Sequence, residues 1–291
     1  MSGSFVLIAS YPKSGNTWTR IVLQRLLRGV DKPFSINDLE AKYQGIWRRL
    51  AFDRWAPVNA ADLLQEEMEQ FLPDIYRRLI PKITGIVLVK VHEAAKRNVG
   101  GEWLYPPDCM PNVIYLVRHP YDVAVSTAHH LSVSLESAVE IMADDGSKRP
   151  PPTGMPESLP QTFGSWSSNV ESWIDNDSYR VSWARYEDIV ADPVAIFSRF
   201  AESAGLQVSR EEVAEATKRT EFRALQREEE EQGFKERPPS SPQFFRAGIS
   251  GTWRDVLDRS LRENLVRDHG RVMERLGYGE DGSAGTVQGT R

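Results

Sequence analysis

The run Tyr11-Pro12-Lys13-Ser14-Gly15-Asn16-Thr17-Trp18 lies between a five-residue apolar stretch at 5–9 and an apolar stripe at helical spacing, Trp18, Ile21, Val22 and Leu26. A strand, a tight turn carrying Lys and Gly, and then a helix together build an anion cradle. Backbone N–H groups of the turn and the positive end of the helix converge on one point, and Lys13 adds a full charge there. The expected occupant is a phosphate-like group. The turn is not a nucleoside-triphosphate loop, which needs G-x-x-x-x-G-K-[ST] with Lys directly after the second Gly. Here Lys13 precedes Gly15. The plain alternative is an ordinary strand-to-helix turn that uses Gly for a positive φ.

Further groups of the same chemical kind follow other apolar runs. Lys90 and His92 are two apart on a strand and so share a face. Histidine can take a proton from a hydroxyl near neutral pH, and lysine can neutralise charge developing on a transferred group; a capping or exposed histidine is the alternative. Arg118 with Ser126 suits a phosphate monoester, a charged fork plus a hydroxyl donor. Each also has a plain reading, as a surface charge and as a mid-helix hydroxyl bonded back to its own chain. Arg246-Ala247-Gly248-Ile249-Ser250-Gly251-Thr252-Trp253 is a second Gly-rich segment with an arginine, where Gly admits close approach of backbone to an anion or simply makes a turn.

The elements that must position these groups are legible in the apolar pattern. Four short runs read as strands, at 5–9, Ile86–Val91, 113–117 and 180–184. The first three are nearly continuous in apolar residues, as in strands covered on both faces. Helical patterns lie between and after them. One covers 60–79 with Asn59 as cap, one begins at Pro120, and one carries Phe163, Trp166, Val170, Trp173 and Ile174. Another starts at Asp192-Pro193, another at the capping box Ser209-x-x-Glu212, and a late one runs through Leu261 to Leu276 and stops at Gly277. This alternation predicts an α/β fold, a three-layer single domain with a central parallel sheet. In such a sheet ligands bind beyond the carboxyl ends of the strands, and Lys13, His92, Arg118, Arg185 and Tyr186 all follow strands. The segments 32–57, 144–161 and 232–251 read as irregular. The domain is expected over 1–278, with 279–291 a disordered tail.

Composition bounds the rest. The chain has 291 residues, 40% hydrophobic and 26% charged, with a net charge of −5. Broad attraction to nucleic acid is therefore not expected, and any polyanion site must be a local basic pocket. The single cysteine, Cys109, excludes an intramolecular disulfide and a cysteine cluster for metal, which fits a reducing, cytoplasmic setting. No apolar run approaches the roughly 18 residues of a membrane span, and the first run reads as structure rather than a signal peptide.

Taken in order, the motifs resemble those of the sulfotransferases that use 3′-phosphoadenosine 5′-phosphosulfate (PAPS). The run 11–18 is similar to their 5′-phosphosulfate loop, Y-P-K-S-G-T-T-W. Arg118 through Ser126, with Asp122-Val123-Ala124-Val125 between, resembles their 3′-phosphate segment, and 246–253 their late R-K-G-x-x-G-D-W signature. Gly164-Ser165-Trp166 and Tyr186-Glu187-Asp188 stand where that family has G-S-W and Y-E-D. The resemblance implies a P-loop-NTPase-like fold, PAPS as co-substrate with PAP as product, no metal, and a small-molecule hydroxyl acceptor. It implies that Lys13 stabilises the leaving phosphate, that His92 is the general base and that Lys90 assists. Lys13, the backbone of Ser14, Gly15 and Asn16, and Thr17 would hold the 5′ end. Arg118, Ser126, Arg246, Ala247 and Gly248 would hold the 3′-phosphate, and Trp18, Tyr186, Thr220 and Phe222 would border the adenine. Three departures stand out: Asn16 for threonine, Ala247 for lysine and Thr252 for aspartate. A nucleotide kinase would need a Walker loop and a metal carboxylate, neither of which is visible; a non-catalytic nucleotide- or glycan-binding module on the same scaffold is the other alternative. Trp, Tyr and Pro in the segments 32–57, 94–107 and 144–161 point to a bulky, partly apolar alcohol or phenol. Arg48, Arg49, Arg54 and Arg97 leave an anionic or polysaccharide acceptor open.

Overall fold

The computed structural model describes residues 3–39, 46, 48–147, 158–237, 241–246, 248 and 250–285. In chain order its elements are β1 (Ser4–Ser10), α1 (Asn16–Arg28), α2 (Arg49–Trp55), α3 (Gln65–Leu79), β2 (Ile86–Val91), β3 (Asn112–Val117), α4 (Pro120–Leu131), α5 (Leu135–Ala143) and α6 (Trp166–Ile174). There follow β4 (Arg180–Arg185), α7 (Tyr186–Ala191), α8 (Pro193–Ser203), α9 (Arg210–Arg219), α10 (Phe222–Gln232) and α11 (Arg259–Arg275). The four strands form one parallel sheet in the order β2-β1-β3-β4.

Successive strand residues face opposite sides of the sheet. Val6, Ile8, Ile114 and Leu116 meet Val22, Leu23 and Leu26 of α1, Phe197 and Phe200 of α8, and Val213 of α9. Phe5, Leu7, Val89, Val113 and Tyr115 meet Tyr76 of α3, Trp166 and Trp173 of α6, and Leu265 and Val272 of α11. Both faces are therefore covered, giving the three-layer α/β architecture that the apolar runs predict.

Because all strands point one way, their carboxyl ends emerge along one edge. Ala9 pairs with Val91, Ser10 with Leu116 and Val117 with Arg185. The residues that follow, 11–18, His92, Arg118 and Tyr186, are thereby gathered at that edge. Asn169 of α6 braces it. Its Oδ1 accepts from the Tyr115 hydroxyl at 2.8 Å, and its Nδ2 donates to the carbonyls of His92 at 3.0 Å and Phe163 at 2.8 Å.

Several local expectations are altered by tertiary contacts. The helix read over 60–79 is divided: a 3-10 turn at Ala60–Asp62 precedes α3, and Asn59 makes no side-chain cap. Asp53 accepts from the Ala60 amide instead, and Leu64 adopts an extended backbone before α3 begins. Ahead of the segment read as irregular from 232, α10 carries the acidic run Glu228–Glu231, in which Glu228 accepts from the Ile36 amide and Glu229 from the amides of Phe244 and Phe245. The segment 32–57 contains α2, and within 144–161 the residues 148–157 lie outside those described. Residues 279–285 pack on the domain rather than trailing from it. Glu280 O accepts from Tyr121 Oη, and Gly285 O from Arg185; residues 286–291 lie outside those described. Among the described residues no helix is long and apolar enough to cross a membrane.

Replacing Asn169 by alanine removes partners from one buried hydroxyl and two carbonyls, so it should destabilise the fold by about 3 kcal/mol. Urea denaturation of Asn169→Ala against the wild type checks this.

Candidate active site

A cavity of about 1310 Å³ opens at the carboxyl edge of the sheet and is lined by Lys13, Gly15, Asn16, Thr17, Trp18, Lys90, His92, Arg118, Ser126, Tyr186, Phe222, Arg246 and Gly248. Residues far apart in sequence thus share one space: 13–18, His92, Arg118 and Tyr186 by following strands, and Phe222, Arg246 and Gly248 from α10 and the segment after it.

The cradle is built on positive φ angles. Lys13 has φ 71°, uncommon for a side-chain-bearing residue. Gly15, at φ 102°, caps α1, and a Cβ there would approach the Tyr186 ring to 2.8 Å. Tyr186 in turn carries the Arg118 guanidinium over its face at 4.5 Å, and Arg118 reaches the Lys13 carbonyl at 3.4 Å. Gly248, at φ 63°, abuts Phe222 so closely that a Cβ would lie 2.1 Å from its ring. Backbone therefore reaches the cavity wall at two places where any side chain would block it. Ser14 Oγ is buried at the cradle without a partner among the described residues.

Lys13 Nζ donates to His130 Nδ1 at 3.4 Å and lies 5.0 Å from the Phe244 ring centre. Burial, then the charges of Lys90, Arg118 and Arg246, lower its pKa to about 8. His92 Nδ1 is 3.0 Å from the carbonyl oxygen of Ser10 and 3.3 Å from its hydroxyl. A carbonyl only accepts, so Nδ1 carries the proton and Nε2 holds the lone pair. Burial and the Lys90 charge hold the ring's pKa well below its ordinary value, so it is neutral at pH 7. The next residue, Glu93, is buried and anchors this exit. It accepts from Tyr105 Oη at 2.9 Å and from the Thr162 amide at 3.4 Å, and burial raises its pKa well above the usual range.

Of the sequence-predicted ligands, Asn16 offers its backbone and Thr220 lies away from the cavity. Asn16 turns its side chain inward: Nδ2 donates to Ile8 O at 2.8 Å, and Oδ1 accepts from Arg20 Nε at 2.9 Å. Only its backbone is left for the cradle. Thr220 is buried and outside the lining, with its hydroxyl bonded to the carbonyls of Ala216 and Thr217. Ala247 lies outside the described residues. Trp18 is held edge-on between Tyr186 and Phe197 at 6.3 and 5.3 Å, which makes it a cavity wall and a core residue at once. Arg185, basic and at a strand exit, grips Asp188 and the carbonyls of Leu276 and Gly285 rather than the cavity. The Thr252 departure has a structural account: its hydroxyl donates to Asp122 Oδ1 at 3.0 Å while Gly251 N donates to Oδ2 at 2.7 Å, tying the late Gly-rich turn to α4.

Sequence reasoning missed His130 and Glu236. Both line the cavity, and neither belongs to a local motif. Among the described residues no three His, Cys, Asp or Glu side chains gather as metal ligands.

The profile of the family described as "Sulfotransferase domain" matches residues 4–277. "Sulfotransferase 1 family member D1" of Rattus norvegicus is 24% identical over 92% of this chain and 83% of its own length. "Luciferin sulfotransferase" of Photinus pyralis is 22% identical over 89% of this chain and 68% of its length. Among solved structures, retinol dehydratase in a complex with retinol and PAP aligns with TM-score 0.58 and 18% identity, covering 94% of this chain and 82% of that one. Mouse sulfotransferase SULT7A1 complexed with PAP aligns at 0.56 with 18% identity, over 94% of this chain and 88% of that one. These structural likenesses establish the fold.

The lowered pKa of Lys13 has a consequence for anion binding. Its ammonium charge is present below pH 8 and lost above it, so affinity for 3′,5′-phosphoadenosine should fall as pH rises through about 8. Lys13→Met should bind more weakly and lose that dependence. Calorimetric titration between pH 6.5 and 9.5 reads both.

Proposed function

The chain belongs to the sulfotransferase family and is a sulfuryl-transferring enzyme, and on that premise we propose that it takes the group from PAPS and delivers it to the hydroxyl of a bulky, partly apolar alcohol or phenol. The observation that carries the reading is the meeting of Lys13, Lys90 and His92 in one cavity whose lining continues to Arg118, Ser126 and Arg246.

The residues present suit the nucleotide. Two glycine positions bring bare backbone to the wall, and cations stand at both the Lys13 and the Arg118 sides. Lys13 and the backbone N–H groups of residues 14–17 would hold the 5′-phosphosulfate end at the positive end of α1. Arg118, Ser126, Arg246 and the Gly248 backbone would hold the 3′-phosphate, with Trp18, Tyr186 and Phe222 bordering the base. When bound, PAPS supplies a sulfuryl group on a phosphate leaving group. His92 Nε2 then accepts the proton of the attacking hydroxyl, and Ser10 O keeps the ring in that tautomer and orientation. The Lys13 ammonium faces charge that grows on the departing phosphate, and Lys90 faces charge on the group in transfer.

The acceptor reading rests on the remaining lining. Tyr11, Leu131, Val133, Ile141, Phe163 and Phe244 give it apolar walls, and Arg48, Asp144 and Gln161 give it polar points. Apolar walls with few polar points suit a ring-bearing small molecule.

His92→Ala should lower turnover by about 100-fold or more while 3′,5′-phosphoadenosine binds as before. A sulfuryl-transfer assay read by mass gain checks the first, and calorimetry the second. In thermal shift, 3′,5′-phosphoadenosine should raise Tm more than ATP with Mg²⁺; the reverse would favour a phosphoryl-transfer enzyme.

A further inference from the structure

We propose that Glu236 is a positioning residue of the transfer reaction: its carboxylate, braced by Arg20, holds the Lys90 ammonium in place beside His92. The inference rests on the sulfuryl-transfer reading above, in which Lys90 acts in the site.

Glu236 lies beyond the end of α10, in a segment pinned to the domain. Asn37 Nδ2 donates to Gly233 O at 3.0 Å, and Lys235 N donates to Asn37 Oδ1 at 2.9 Å. Both carboxylate oxygens of Glu236 accept from Arg20, at 2.9 and 2.7 Å, and Oε2 also accepts from Lys90 Nζ at 3.1 Å. Arg20 is 5% exposed and is itself fixed, with Nε on Asn16 Oδ1 and an amino group 3.2 Å from Thr17 Oγ1. A continuous chain of polar contacts therefore runs from β1 and the anion cradle through Asn16, Arg20 and Glu236 to Lys90 on β2.

Such a brace answers a specific weakness. A guanidinium fork is planar and pre-organised, whereas a lysine ammonium swings on four methylenes. Lys90 shares its cavity with Lys13, Arg118 and Arg246, and like charges would drive it outward. Glu236 offers a negative charge inside the wall, and the bidentate Arg20 pair keeps that carboxylate from following Lys90 into solvent. The same carboxylate faces His92, together with Lys90 on β2, Arg20 on α1 and the Ser10 carbonyl on β1. There it opposes the two cations and favours the imidazolium that forms when the acceptor proton is taken.

The test is a double-mutant cycle in the full chain, Glu236→Gln against Lys90→Met, with PAPS and 2-naphthol as probe acceptor. Glu236→Gln should lower kcat by about tenfold or more while the Kd for 3′,5′-phosphoadenosine stays within about threefold. In the Lys90→Met background, at a pH well above the acid limb, the same change should cost little, because what Glu236 does through Lys90 has nothing left to act on. The acid limb of the kcat–pH profile should move to lower pH in Glu236→Gln. Glu236→Asp keeps a charge for Arg20 and should recover part of kcat; it replaces Glu236→Gln in the cycle if the glutamine variant does not fold. Unchanged kcat, or a loss that is fully additive with Lys90→Met, overturns the proposal. Wild-type protein that binds 3′,5′-phosphoadenosine yet transfers nothing from PAPS overturns the underlying reading and this one with it.

Discussion

Lys13, Lys90, Arg118 and Arg246 line one cavity, with Arg20 buried beside it. Like charges held together in a poorly solvated space repel one another, and each has lost hydration. The depressed pKa of Lys13 expresses that cost directly. Two carboxylates offset part of it, Glu236 at Lys90 and Asp122 about 4.0 Å from Arg118. A polyanion with groups at two ends would offset the rest. The site is therefore an assembly the fold must hold against repulsion, and much of the surrounding structure makes sense as the means of doing so.

The holding is done by an apolar sheet covered on both faces. Parallel strands put all their carboxyl ends on one edge, so residues that follow different strands become neighbours. Side chains then lock the loops to that edge. Asn169 ties β3 to the His92 and Phe163 carbonyls, Glu93 ties the β2 exit to Tyr105 and Thr162, and Asp122 ties α4 to the turn at 251–252. Each bond satisfies a buried polar group that would otherwise be costly, and each also fixes the aim of a residue in the cavity.

Some side chains with the chemistry of ligands are claimed by nearer partners: Asn16 by Arg20 and Ile8, Thr220 by the carbonyls of Ala216 and Thr217 in α9, and Arg185 by Asp188 and two carbonyls. Glu229, within the acidic run at 228–231, is buried and accepts two amides from the segment that carries Phe244 and Phe245. Donor and acceptor types are visible in a sequence, but which of several possible partners wins depends on distance.

From the sequence alone came the strands, most of the helices, the α/β class and the strand–turn–helix at 11–18, because apolar period, caps and turn residues are local properties that survive without tertiary context. The resemblance in motif order pointed further, to sulfuryl transfer, and the family match agrees. Only the tertiary structure decided the tautomer of His92, set by a carbonyl 82 residues away, and the partner of Arg20 and Lys90, a glutamate 216 residues from the first of them. Proton position and charge pairing depend on closures between distant segments, and those closures exist only once the sheet has brought the strand ends together.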